Sequence, residues 1–185
     1  MTRVAILADI HGNLPALEAV WDDLGHFDVE AVVVADDVAN GGPYPLEVLR
    51  FLTERGVTFM RGNHEYYVLD HGTPRAPDSW GKHNIAAWTN AKLGRAGQAQ
   101  LALWPDRLGL RFRDSGLLGI EHGVPGNPFR GLYPVTPDAE IIEVLAATPE
   151  PTVTTAHTHL PLDRQVGQRR VLNPGAVGNP LDGDI

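Results

Sequence analysis

The stretch Ala5-Ile6-Leu7-Ala8-Asp9-Ile10-His11-Gly12-Asn13 decides how this chain is read. An apolar run climbs to an aspartate, a histidine follows two positions on, and Gly12-Asn13 turns the chain toward a helical pattern. A buried strand delivering polar side chains to its carboxyl end is where open α/β sheets place their ligands. Asp-x-His joins a hard oxygen to a borderline nitrogen, a pairing suited to a divalent transition metal. Such a pair would serve equally well to cap the following helix. Its meaning therefore depends on whether other strand ends carry matching groups.

Working outward, the first strand is predicted from Arg3 to Asp9. After a capping Asn13, Leu14, Leu17, Val20, Trp21 and Leu24 recur at helical spacing, with Pro15 in the first turn and Gly25 at the end. Ala31 to Ala35 is a valine-rich run too short for a helix, so it reads as a second buried strand, ending in Asp36-Asp37. Val48, Leu49 and Leu52 mark a second helix. Val57 to Met60 makes a third strand, which ends on Arg61-Gly62-Asn63-His64-Glu65. This is a βαβ rhythm whose parallel strands bring their polar tips to one edge. Beyond it, residues 71–78 read as a loop, and 80–93 and 98–104 as helices. Leu110 to Asp114 and Leu117 to His122 form an antiparallel pair about Ser115-Gly116. Gly123 to Pro134 is a long irregular loop, and Pro137 to Ala147 a helix. Val153 to Ala156 leads into His157-Thr158-His159, and short strands follow at 162–166 and 169–173.

Composition narrows the function. A chain of 185 residues suits one domain, and an apolar share of 43% is that of an ordinary globular protein. No cysteine is present, which removes disulfides and thiolate metal sites. A net charge of −8 counts against a long nucleic acid as partner. No apolar run approaches the roughly 20 residues of a membrane span, and no secretory leader is recognisable; a cytoplasmic location is expected.

The strand-end groups are Asp9, His11, Asp37, Asn63, His64, His122, His157 and His159, which include five of the eight histidines. Carboxylate, imidazole and carboxamide groups recurring at separate strand ends suit two metal ions bridged by one carboxylate. His26, His71 and His83 fall outside the pattern and read as solvated. Trp80 and Trp88 read as core. Arg130, in the loop after His122, and Tyr66 with Tyr67 are candidates to meet a substrate.

The ordered motifs Asp9-Ile10-His11-Gly12-Asn13, Asp37 with Gly42-Pro43, Gly62-Asn63-His64-Glu65, His122-Gly123 and His157-Thr158-His159 resemble those of the calcineurin-like metallophosphoesterases. The likeness is to their short bacterial and archaeal phosphodiesterase-like branch, and Asn173-Pro174-Gly175-Ala176-Val177-Gly178 is similar to that branch's C-terminal signature. The resemblance implies a four-layer α/β/β/α sandwich of two mixed sheets, with a dinuclear metal site at the carboxyl edge of the strands. It assigns Asp9, His11, Asp37 and His159 to one ion, and Asp37, Asn63, His122 and His157 to the second. Two divalent transition ions are implied, Mn²⁺ foremost, with Fe, Ni or Zn as the other choices. The implied reaction is hydrolysis of a phosphodiester or small phosphomonoester by in-line attack of a metal-bridging hydroxide. His64 then acts as general acid or stabiliser of developing charge. The partner is a small phosphate ester, with no membrane, and a homo-oligomer is compatible. The alternative is a binding or scaffold module on the same fold with weak or no turnover.

Three positions depart from the family pattern. Asp36 and Ala156 stand where it has glycine, and Gly41 stands where some branches have a phosphate-clamping arginine. Asp36 either points away from the site or acts on the groups surrounding the metal ligands. Relatives also continue past the region where this sequence reaches Ile185, which implies a narrower sheet or an exposed edge.

Overall fold

The computed structural model describes residues 2–77, 80, 85–113, 116–181 and 183. His83 and the Asp114-Ser115 part of the expected hairpin turn lie outside the described residues. The first sheet has the order β1 (Val4–Leu7), β2 (Ala31–Val34), β3 (Thr58–Phe59) and is parallel throughout rather than mixed. Parallel neighbours need crossovers, which α1 (Leu14–Leu24) and α2 (Pro45–Glu54) supply. Register sets Leu7 beside Val34 and Val34 beside Phe59, so the three strand ends reach the same edge.

α3 (Asn63–Asp70) and α4 (Ile85–Ala102) follow. The two helices expected at 80–93 and 98–104 are one run broken at Gly94, whose φ of 57° and ψ of −172° are not helical. The second sheet contains β4 (Arg107–Phe112), β5 (Gly116–Glu121), β6 (Thr152–Thr154), β7 (Leu162–Val166) and β8 (Arg169–Asn173), ordered β4-β5-β6-β8-β7. It is mixed: β4–β5 and β7–β8 are antiparallel, the inner pairs parallel. β4 begins at Arg107, earlier than expected, because Pro105 ends the preceding turn and Arg107 pairs across the ladder with Glu121. α5 (Asp138–Val144) lies between β5 and β6 in the chain.

Three apolar clusters define the layers. Between the sheets, Ala8, Val33, Ala35 and Met60 meet Ile120 and Ala156. On the outer face of the first sheet, Leu7 and Val34 pack with Leu17, Leu49, Leu52 and Leu101 from the helices. Behind the second sheet, Ile141 and Leu145 cover Val153, Val166 and Val171. Burying apolar surface at about 25 cal/mol per Å² on three interfaces holds the sandwich together. Trp88 is not core: it lies exposed on α4 with Lys92 Nζ 5.6 Å from its ring centroid.

One strap matters for the site. Val177 N–H donates to Ala8 O and Gly178 N–H to Asp9 O, each at 2.9 Å, which seats residues 177–178 along the tip of β1. A Cβ at Gly178 would collide with Ile10 O, so only glycine permits that approach.

Candidate metal centre

The tips of β1, β2 and β5, the start of α3 and the loop after β6 converge on one cleft. Their ligand atoms form two overlapping sets. In the first, His11 Nε2 lies 3.1 Å from His159 Nε2, and Asp9 Oδ1 lies 3.2 Å from His159 Nε2 and 3.7 Å from His11 Nε2. In the second, His122 Nε2 is 2.5 Å from Asn63 Oδ1 and 3.0 Å from His157 Nδ1, with 3.0 Å closing the triangle. Asp37 Oδ2 belongs to both, at 3.9 Å from His11 Nε2 and 3.5 Å from His122 Nε2. Atoms bound at about 2.1 Å to one ion stand roughly 3.0–3.5 Å apart, and the separations in these sets, from 2.5 to 3.9 Å, lie around that spacing.

Hydrogen-bond accounting supports a cation in the first set. His11 Nδ1–H donates to Asn40 O at 2.8 Å, and His159 Nδ1–H to Asn179 O at 2.6 Å. Both Nε2 atoms are then lone pairs facing each other across 3.1 Å, which is repulsive unless a cation lies between them. Asp9 Oδ1 is buried without a hydrogen-bond partner, an orphan that an ion satisfies. Burial, above all, holds the Asp36, Asp37 and Glu65 carboxyls above the usual range, and negative neighbours add to this for Asp36 and Asp37. The cluster is short of positive charge.

Two of the ligand imidazoles, those of His11 and His157, are held toward the neutral ligand form. Burial pulls His11 down, and burial with His122 pushes His157 down to about 4. His159 differs: burial lowers it, but the Asp9 carboxylate beside it outweighs this and holds it above its ordinary value. The backbone is strained to assemble the site. The six described non-glycine residues with positive φ are Asp9, His11, Asp36, Asp37, His157 and His159, and such conformations cost roughly 1–3 kcal/mol each. Strain confined to one cluster marks a site whose geometry the fold is built to hold.

All seven expected ligands are therefore brought together. His64 joins them: its backbone N–H donates to Asp37 Oδ1 at 2.9 Å, and its ring meets His11 edge-on with centroids 4.6 Å apart. Burial and His11 push His64 down to about 3, so it is neutral. A cavity of about 450 Å³ opens beside these groups, lined by His11, Asn13, Gly41, His64, His159 and Asn179.

Two expected substrate contacts are not brought to the cluster. Arg130 turns its guanidinium to Glu140 Oε1 at 2.6 Å. Its loop still walls the site through main chain, since a Cβ at Gly131 would lie 3.1 Å from His157 Cδ2. Tyr66 donates its hydroxyl to Asp106 at 2.7 Å, and Tyr67, 5.1 Å from His64 between centroids, is the ring that adjoins the cleft. Of the departures, Ala156 is harmless: its methyl joins the inter-sheet core, and it is not among the positive-φ residues. Gly41, at φ 130°, lies so close to His11 that a Cβ would stand 3.1 Å from Nδ1, which leaves no room for a longer side chain there. Asp36 points into the cluster, its Oδ2 2.8 Å from His122 Nδ1.

Two supporting residues carry roles that the sequence reading did not assign. Glu65 accepts from the N–H groups of Asp37, Val38 and Gly62 at 3.0, 2.9 and 2.8 Å, tying α3 to the end of β2. Its place three residues after Gly62, as in a capping box, was the available signal. Asn40 holds His11 through its carbonyl and approaches His64 Nδ1 with its amide at 3.0 Å; nothing in its loop sequence announced this.

The chain is similar to known proteins in sequence and in fold. An uncharacterized protein of Methanocaldococcus jannaschii is 24% identical over 206 residues, covering 98% of this chain and 79% of that one. The structure of a hypothetical protein from Pyrococcus horikoshii OT3 is similar with a TM-score of 0.84 at 25% identity, over 97% of this chain and 79% of the other. That of a metallophosphoesterase from Sphaerobacter thermophilus gives 0.79 at 25% identity, over 99% and 80%. Residues 2–173 match the calcineurin-like phosphoesterase family, and with its ordered carboxylate, imidazole and carboxamide motifs intact the chain belongs to that family.

Proposed function

We propose that the chain is a dinuclear-metal phosphoesterase whose preferred substrate is a small phosphodiester, with Mn²⁺ as the preferred ion. The observation that carries this reading is the sharing of Asp37 Oδ2 between two convergent ligand sets. Asp9, His11, His159 and Asp37 would hold one ion; Asn63, His122, His157 and Asp37 would hold the other. When bound, two such ions supply a water of lowered pKa and neutralise charge on the phosphoryl oxygens.

The chain's own residues do the rest. Asn40 and Asn179 fix the tautomers of His11 and His159 through main-chain oxygens, so both Nε2 atoms face inward. Asp37 accepts the His64 N–H, which sets that ring beside the shared carboxylate. With Nδ1 of His64 accepting from the Asn40 amide, Nε2–H is the group available to the leaving oxygen, where the neutral ring donates a hydrogen bond to developing charge. Gly41 and Gly42 line the cavity of about 450 Å³ beside these groups without adding side chains to it.

The test is metal content combined with hydrolysis of bis-p-nitrophenyl phosphate and p-nitrophenyl phosphate in the presence of Mn²⁺, Ni²⁺ or Zn²⁺. Turnover with a preference for the diester and for Mn²⁺ is expected. Folded, metal-loaded protein that turns over neither compound overturns the proposal.

A further inference from the structure

Asp36 is the residue of this cluster that the family pattern does not explain. It is fully buried, stands at φ 123°, and lies within reach of two other carboxyls, Asp9 and Glu65. Burial, a glycine-type backbone and like charge all oppose an aspartate here. Glycine would remove all three penalties at once. The gain must lie in what the carboxylate touches.

That contact is His122. Asp36 Oδ2 stands 2.8 Å from His122 Nδ1, an ion-pair distance rather than an aligned hydrogen bond, and both atoms are buried without a hydrogen-bond partner among the described groups. Oδ1 of the same carboxylate takes the Asp9 N–H at 3.4 Å, which orients the group between the tips of β1 and β5. On its far side, His122 presents Nε2 to Asn63, His157 and Asp37. Imidazole has two nitrogens, and a proton held on one leaves a lone pair on the other. A carboxylate behind a ligating histidine selects the tautomer and aims the ring, and losing such a partner typically costs about 10–100-fold in metal affinity.

We propose that Asp36 is a positioning residue for the second ion: it holds the His122 proton on Nδ1 and so keeps Nε2 as a ligand. It touches no substrate and binds no ion itself. The inference rests on the dinuclear reading of the site, but it is tested by binding and tautomer state, without turnover.

The experiment compares parent, Asp36→Gly and Asp36→Asn as metal-free proteins. Each is titrated with Mn²⁺ and Zn²⁺ against a chelating dye, unfolded by heat, and its histidine tautomers are read by long-range ¹H–¹⁵N NMR, with His122 assigned by a His122→Gln variant. For Asp36→Gly, affinity for the second ion should fall about 10–100-fold while the metal-free protein melts at a higher temperature. His122 should also lose its Nδ1–H preference. Asp36→Asn, whose amide oxygen still accepts from Nδ1–H, should restore most of the affinity, and it keeps the test intact if the glycine variant fails to fold. Unchanged second-ion affinity and tautomer in both variants overturns the proposal. So does loss of a whole ion in Asp36→Asn, which would make Asp36 a ligand rather than a support. Absence of any metal binding by the parent would instead remove the dinuclear reading itself.

Discussion

The two halves of the metal centre are built from the same residue types yet are supported differently. In the half made by Asp9, His11 and His159, both ring nitrogens that face away from the ion are held by main-chain carbonyls, those of Asn40 and Asn179. In the half made by Asn63, His122 and His157, the ring of His122 is backed by the buried carboxylate of Asp36. A carbonyl brings no net charge and cannot be removed by changing a side chain. A carboxylate brings charge and strain, but it holds the proton of its histidine more firmly. The first half is therefore supported by the path of the chain, the second by one replaceable residue. Asp37 joins them, so an injury there affects both.

That contrast is broken most severely at the joint. Asp37→Ala removes a ligand from each half, and the variant should retain fewer than two ions by elemental analysis and lose activity by more than about 10³-fold. Retention of two ions would show that the halves do not share this residue.

The next test separates the halves by pH. Unfolded histidine titrates near 6.5. His157, in the second half, sits at about 4, so the unfolded chain holds more protons than the folded one between those values. Its contribution is present above 6.5 and is lost as pH falls toward about 4. His159, in the first half, is shifted upward by Asp9, so its contribution is full below 6.5 and fades as pH rises through its folded value. A ligand that must shed a proton competes with the ion. At pH 5.5–6 the second half should therefore load ahead of the first, and titrations there should show one tight ion where titrations at pH 8 show two. Equal loading of both halves at each pH would erase the distinction.

The smallest effect is expected at Asn40. Asn40→Ala leaves the carbonyl that supports His11 in place, so affinity for the first ion should stay within about threefold of the parent, against the 10–100-fold typical when a supporting partner is lost. Turnover should fall a few-fold, because His64 loses the amide that steadies its ring. A large drop in ion affinity would mean that the main-chain support depends on the side chain after all.

These halves were unequally legible before the structure. Asp9, His11, Asp37, Asn63, His122, His157 and His159 could be picked out because each follows an apolar run or sits in a glycine-bounded turn, a pattern that burial and strand length impose on the chain. The supports were harder to see. Every residue has a carbonyl, so nothing marks the ones at Asn40 and Asn179 that fix two tautomers. Arg130 and Tyr66 are of suitable type for a phosphate site, but Glu140, at the end of the same connecting stretch, and Asp106, 40 residues on, claim them first. Trp88 has a core residue's chemistry and an exposed place on α4.

The sequence by itself thus determined the parallel strand–helix rhythm, the ligand types and their assignment to one edge, because local periodicity and strand ends are written in consecutive residues. Only the tertiary structure decided the direction in which Asp36 faces. That depends on a φ of 123° at the end of β2 and on His122 arriving from the other sheet at 2.8 Å. Neither is a local property: the backbone angle is imposed by the packed strand tips, and the contact exists only once the two sheets are stacked.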